Sequence, residues 1–153
     1  MDLVLWRHAE AEEDAPGGDD LRRALTSRGE KQAARVAGWL DRQLPEGARI
    51  LSSPALRCEQ TVMALGRKYK LRDELVPGSP VDAMLECAQW PHSRQLVVVV
   101  GHQPALGQAI ARLLDMRHES CAMRKGAVWW FRTRERDGHL QAQLLAVQSP
   151  DLS

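Results

Sequence analysis

Three short runs hold side chains suited to chemistry on an anion. Leu3, Val4, Leu5 and Trp6 lead directly into Arg7 and His8. The run "ILSSPALR" ends in Arg57, and "QLVVVV" leads into Gly101 and His102. An arginine keeps its charge at any relevant pH, and its planar fork matches phosphate. An imidazole is largely neutral near pH 7 and can act as nucleophile or general base. Two of each, brought together, could bind an anion and attack it. Each alone is weak. An Arg-His pair after a strand says little by itself, the histidine of a Gly-His pair can simply cap the next helix, and an arginine in a first helical turn is usually solvated. Their weight comes from position, because all three runs are junctions between an apolar strand and a helix.

The elements that must position them follow from apolar spacing. Residues 2–6 read as a short buried strand. Residues 27–44 read as a helix with Ala33, Val36, Ala37, Leu40 and Leu44 on one face. Ser27 and Glu30 form a capping-box pattern at its start, and Pro45 and Gly47 end it. Residues 49–52 predict a second strand. A helix follows with Ser53 as N-cap, Pro54 at its first position, and Cys58, Val62, Leu65 and Tyr69 along one face. Another is expected over 80–89, capped by Ser79. The β-branched run 95–100 predicts a central strand buried on both sides. A helix follows, with Leu106, Ile110 and Leu113 on one side. Asp137-Gly138 marks a hairpin turn between strands 127–133 and 140–147. In that hairpin, one of Trp129 and Trp130 should lie in the core and the other be partly exposed.

This alternation predicts an α/β fold: a three-layer α/β/α domain over 1–153, with a mostly parallel central sheet and an antiparallel C-terminal edge hairpin. In such sheets the loops leaving the carboxyl ends of strands form the ligand crevice. Arg7, His8, Arg57 and His102 can therefore converge there. Helix N-termini after Ser53 and near Pro104 would add positive dipole ends. The loop 12–23, with Pro16, Gly17 and Gly18, is long enough to be functional or mobile.

Bulk properties exclude several classes. A net charge of +1 names no partner, and the charged run 132–137 reads as a solvated hairpin rather than a nucleic-acid patch. Three scattered cysteines suggest reduced thiols, not a disulfide framework. No apolar run can span a membrane and no signal peptide is visible, so a cytoplasmic protein is expected. There is no phosphate-binding loop, dinucleotide fingerprint or zinc signature, so neither a cofactor nor a metal is expected. His92, His118 and His139 lie in polar settings and read as surface residues.

The segments "LWRHAEAEED", "LTSRGEKQA", "ILSSPALRCEQT" and "VVVVGHQPAL" together resemble the histidine phosphatase superfamily, which includes the phosphoglycerate mutases. The short chain and "RRALTSRG" look most like its SixA-type phosphohistidine phosphatase branch. Ala9 stands where the first motif commonly has glycine. The resemblance implies that His8 is a nucleophile that becomes phosphorylated, with Arg7, Arg57 and His102 completing the phosphate pocket. Arg23 lies in the segment matching the family's R-P-L-T and would approach the site, although Ala24 replaces the proline and Arg22 is its neighbour.

Attack requires an unprotonated nitrogen on His8, with the other nitrogen held by an acceptor such as a backbone carbonyl. Larger members of the superfamily carry a carboxylic acid in an insertion this chain lacks. The candidates here are Glu10, Glu12, Glu13, Asp14, Asp19, Asp20 and Glu86, none singled out by spacing. An oxygen leaving group would need such an acid more than a phosphoramidate would. The expected partner is therefore a protein bearing phosphohistidine, either a histidine phosphotransfer or a carrier protein, with no nucleic acid and no membrane. The alternatives are a phosphomonoesterase acting on a small phosphorylated metabolite, or a non-catalytic phosphate-binding module.

Overall fold

The computed structural model describes residues 1–152. Its centre is a six-stranded sheet. In chain order the strands are β1 (Asp2–Arg7), β2 (Arg49–Ser52), β3 (Lys70–Leu71), β4 (Val97–Gly101), β5 (Val128–Arg136) and β6 (His139–Gln148). Across the sheet the order is β3-β2-β4-β1-β5-β6. The first four strands are mutually parallel, and β5 and β6 add an antiparallel edge, as the alternation predicts.

Helices cover both faces. Leu3, Leu5, Val97 and Val99 pack under Met84 and Leu85 of α3 (Val81–Cys87) and under Leu106, Ala109 and Ile110 of α4 (Ala105–Leu113). Val4, Trp6, Val98 and Val100 pack under Val36, Ala37 and Leu40 of α1 (Ser27–Gln43) and under Cys58 and Val62 of α2 (Leu56–Met63). Because β1 and β4 are covered on both sides, they read as continuous apolar runs rather than alternating ones. Each fully buried leucine or valine contributes about 1.5–3 kcal/mol of transfer free energy. Among the described residues, no helix is long and apolar enough to cross a membrane.

Several boundaries differ from expectation. Helix α1 is capped by Thr26, not Ser27: Thr26 Oγ1 accepts from Gly29 N–H at 2.9 Å. The partner of the Thr26 hydroxyl is Glu10 Oε2 at 2.7 Å, not Glu30. A close approach sets this register. A Cβ on Gly29 would lie 1.9 Å from the Glu10 carbonyl oxygen, so only glycine lets the helix start against the chain leaving β1. Helix α2 begins at Leu56, and Ser53 and Pro54 form the turn before it. Helix α3 starts at Val81 after an uncapped Pro80 and ends before Gln89, whose φ of 57° breaks the helix. Strand β3 has only two residues, both exposed, and carries no apolar pattern to announce it.

The hairpin is longer than its apolar residues suggest. The charged run stays in strand geometry because its side chains are solvated while its backbone pairs. Its turn is at Asp137 and Gly138, both with positive φ, as a two-residue hairpin turn requires. Trp130 is buried and its indole N–H donates to Asp2; Trp129, on the other face, is partly exposed.

Candidate functional site

The parallel register places Arg7 beside Gly101, so β1 and β4 end level. His8 N–H donates to the Gly101 carbonyl at 3.2 Å, and Ser53 N–H to the Val100 carbonyl at 3.0 Å. Three strand ends are thus laced together at one edge of the sheet. The loop before β5 meets the same edge, because an antiparallel strand starts where its parallel neighbours finish. Gly126 N–H reaches the carbonyls of Arg7 and His8, at 3.1 and 3.0 Å.

These junctions enclose a cavity of about 210 Å³ lined by Arg7, His8, Ala11, Arg23, Arg57, Pro77, His102, Gln103 and Lys125. All five residues singled out in the sequence therefore line one cavity. His92, His118 and His139 are exposed and away from it. Sequence reasoning missed Lys125 and Gln103. Gln103 adjoins His102 and could have been flagged by adjacency. Lys125 lies two residues before Ala127, and only the antiparallel pairing of β5 with β1 brings it to this edge.

His8 and His102 are buried with ring centroids 5.3 Å apart. His8 Nδ1 lies 2.7 Å from the Ala9 carbonyl oxygen. A carbonyl can only accept, so the neutral ring carries its hydrogen on Nδ1 and a lone pair on Nε2. Ala9 is itself fixed, because its N–H donates to Thr61 Oγ1 at 3.1 Å. His102 Nε2 meets Ser53 Oγ at 2.8 Å. Ser53, expected as the cap of the next helix, accepts from Ala55 N–H at 3.2 Å in the turn before α2 and also meets the histidine. Cys58 Sγ lies 3.4 Å from the same nitrogen, but burial pushes its thiol up to about 12, so it stays protonated.

Burial pushes His8 down to about 4, against its hydrogen bond to Ala9 and with help from Arg57, Arg7 and Arg23. Burial likewise pushes His102 down to about 3, with His8 and Arg57 acting in the same sense. Both rings are neutral at physiological pH. Below about pH 6.5 the unfolded chain takes up two protons that the folded chain refuses. Between roughly pH 6 and 4.5 the unfolding free energy should therefore fall with pH, with a limiting slope near 1.4 kcal/mol per pH unit per histidine. Denaturant melts across that window check this, and His102→Gln should remove about half of the slope. A pH-independent stability there would contradict neutral burial of the pair.

The arginines are held from outside the cavity. Arg7 Nη1 donates to the Met123 carbonyl at 2.6 Å, and Arg23 Nη1 to the Glu12 carbonyl at 3.2 Å. Arg57, only 3% exposed, donates through Nη1 to the Asp20 carbonyl at 2.8 Å and through Nη2 to Asp20 Oδ2 at 3.0 Å. Among the described residues, the buried side-chain nitrogens left without a hydrogen bond are the Nε atoms of Arg7, Arg23 and Arg57. All three belong to arginines around this cavity, and of them Arg23 Nε has the Asp20 carboxylate 3.1 Å away as an ion-pair partner, which leaves Arg7 and Arg57 without one. An unpaired buried guanidinium donor is costly, and an anion would relieve it.

The acids separate into distinct settings. Glu10 serves the Thr26 cap, and Glu86 is exposed on α3. Among the described residues, no cluster of three His, Cys, Asp or Glu side chains is arranged to hold a metal ion. Of the seven candidate acids, Asp20 is the one that pairs with a cavity arginine. Burial would raise its carboxyl, but the Arg57 hydrogen bond and the charges of Arg57 and Arg23 outweigh that and hold it below the usual carboxylate range.

Residues 3–78 match the histidine phosphatase superfamily (branch 1). The phosphohistidine phosphatase SixA of Escherichia coli K12 is 32% identical over 121 residues, covering 74% of each chain. An uncharacterised protein of a Picosynechococcus strain is 34% identical over 115 residues, 71% of this chain and 70% of that one. A solved structure of the protein histidine phosphatase SixA complexed with tungstate superposes with a TM-score of 0.77 at 26% identity, covering 99% of this chain and 98% of that one. The chain belongs to the histidine phosphatase superfamily and is an enzyme of the phosphatase class.

Proposed function

We propose that the protein removes phosphate from phosphohistidine on a partner protein, through a phosphorylated His8. One observation carries this reading: a cavity of about 210 Å³ in which a neutral, tautomer-fixed His8 meets Arg23 and two further arginines, Arg7 and Arg57, whose buried Nε atoms have no partner. That volume is below the roughly 300–1,000 Å³ typical of small-molecule sites. It suits a phosphoryl group and little more, leaving the rest of the substrate outside. The relative solved with tungstate supports the same chemistry, since tungstate is a tetrahedral dianion like phosphate.

The proton balance favours a phosphoramidate. His8 Nε2 attacks phosphorus, the new N–P bond forms, and the substrate's N–P bond breaks. When the other nitrogen of the substrate imidazole already carries a hydrogen, the ring leaves neutral with no acid needed. Phospho-His8 keeps its Nδ1–H on the Ala9 carbonyl, so it is an imidazolium and a good leaving group in turn. Water then attacks phosphorus, the Nε2–P bond breaks, and dihydrogen phosphate leaves with both water hydrogens. Arg7, Arg23, Arg57 and His102 stabilise charge on the equatorial oxygens, where positioning and electrostatics supply most of the catalysis. An ester would release an alkoxide and require a proton donor. Asp20, held as a carboxylate by Arg57, is a poor one.

The test is turnover on a phosphohistidine-bearing protein against a panel of small phosphomonoesters. The protein substrate should be preferred by at least about 100-fold in kcat/KM, a difference near 2.7 kcal/mol. Efficient cleavage of sugar phosphates with no action on the phosphohistidine protein would overturn the reading in favour of a metabolite phosphomonoesterase.

A further inference from the structure

Asp20 lies in an exposed 3-10 turn, Asp20–Arg22, yet it touches two cavity arginines through both its carboxylate and its carbonyl. Its carbonyl accepts from Arg57 Nη1 at 2.8 Å and from Arg23 N–H at 3.2 Å. Its Oδ2 accepts from Arg57 Nη2 at 3.0 Å, and its Oδ1 lies 3.1 Å from Arg23 Nε. Both arginines line the cavity, whereas Asp20 does not. The carboxylate therefore holds both arginines without itself lining the cavity.

We infer that Asp20 is a positioning residue that sets the two guanidinium groups of the phosphate site in their binding orientation by bridging Arg57 to Arg23. This rests on the proposed phosphatase reading and adds to it a residue that touches no substrate. Two physical points support the role. Arg57, Arg23, Arg7 and Lys125 crowd positive charge around one small cavity, and an outer carboxylate offsets their mutual repulsion without filling the void. A long arginine side chain also loses considerable rotamer freedom when held, and a bridge made before the substrate arrives removes that cost from binding. The loop that carries Asp20 is anchored for the purpose. Ala11 pairs with Leu25 at its base, Glu12 N–H donates to the Ala24 carbonyl at 2.8 Å, and Asp19 Oδ1 caps the turn through Leu21 N–H at 3.0 Å.

The alternative is that Asp20 is an internal anion competing with phosphate for Arg57. The two roles have opposite signs. Inorganic phosphate binding by calorimetry, and KM for a phosphohistidine-bearing protein, are measured for wild type, Asp20→Asn, Asp20→Ala and Asp20→Glu. Positioning predicts that Asn and Ala weaken phosphate binding by roughly three- to tenfold and raise KM in step, because an exposed carboxylate bridge carries modest coupling. Glu, which keeps the charge, should recover part of the loss. In an Arg57→Ala background the Asp20→Asn change should have little further effect. Unchanged or tighter phosphate binding in Asp20→Asn, or an equal loss in the Arg57→Ala background, overturns the inference alone. A wild-type protein that binds no phosphate and turns over no phosphohistidine overturns the functional reading with it.

Discussion

His8→Ala is expected to lower turnover of the preferred phosphorylated substrate by about 10⁴-fold or more while leaving phosphate binding nearly intact. The two halves have separate causes. Turnover depends on the Nε2 lone pair, which the Nδ1 hydrogen bond to Ala9 leaves free in a ring held neutral by burial. His102, the other imidazole, has its Nε2 engaged by Ser53 and sits with its ring centroid 5.3 Å away, so it is not placed to substitute. Binding depends on the arginines, whose backbone anchors at Met123, Glu12 and Asp20 do not involve His8. Because His8 is neutral, its removal also leaves the charge of the cavity unchanged. A pulse of labelled phosphohistidine protein should put acid-labile phosphate on the wild type and none on His8→Ala, with phosphate affinity within about threefold of wild type. Labelled variant, or turnover above 1% of wild type, would remove His8 from the nucleophile's role.

Much of this site was legible before the fold was known, and the reasons are specific. Strands β1 and β4 are buried on both faces, so their sequences are apolar runs whose ends can be read to within one or two residues. Arg7, His8 and His102 sit at those ends. Arg57 was placed because Pro54 announces a helix, even though the helix opens two residues later. The contacts that were not legible are those fixed by tertiary approach. Thr26 and Ser27 are equivalent caps by type, and the contact of Gly29 with the Glu10 carbonyl chooses between them. Ser53 carries the same hydroxyl whether it caps a helix or meets His102.

The acids after His8 show the same limit. Their spacing cannot reveal that Glu10 turns towards Thr26, while Asp20, further along the loop, reaches Arg57. Lys125 enters the cavity only because β5 runs antiparallel to β1. Local pattern positions the elements, and the polar contacts between elements have no periodicity to read.

Arg57→Met is expected to lower kcat/KM by about 10³-fold and, at the same time, to leave the fold at least as stable as wild type. The loss of activity follows from a planar, charged fork that no apolar side chain replaces. Removal of one preorganised donor to a developing oxyanion typically costs about 10²–10³-fold. Arg57→Lys should recover little, since a lysine is a point charge without the fork that meets both Asp20 atoms and a phosphoryl group. Stability moves the other way because the native site is strained electrostatically when empty. Arg57 is a buried cation with an unpaired Nε, crowded by Arg7, Arg23 and Lys125. Its one carboxylate partner, Asp20, has a side chain 60% exposed, so the pair recovers only part of the desolvation cost. Methionine keeps much of the volume and removes the charge, and Asp20, already largely exposed, keeps Arg23 as its partner. His8, relieved of one neighbouring cation, should titrate somewhat higher, though burial still holds it below its ordinary value. Thermal melts without phosphate should show Arg57→Met equal to or above wild type, and saturating phosphate should raise the wild-type midpoint but not that of the variant. A variant that melts well below wild type without ligand would mean that Arg57 is held for structure, and that the unpaired guanidinium nitrogens do not store a cost that the substrate relieves.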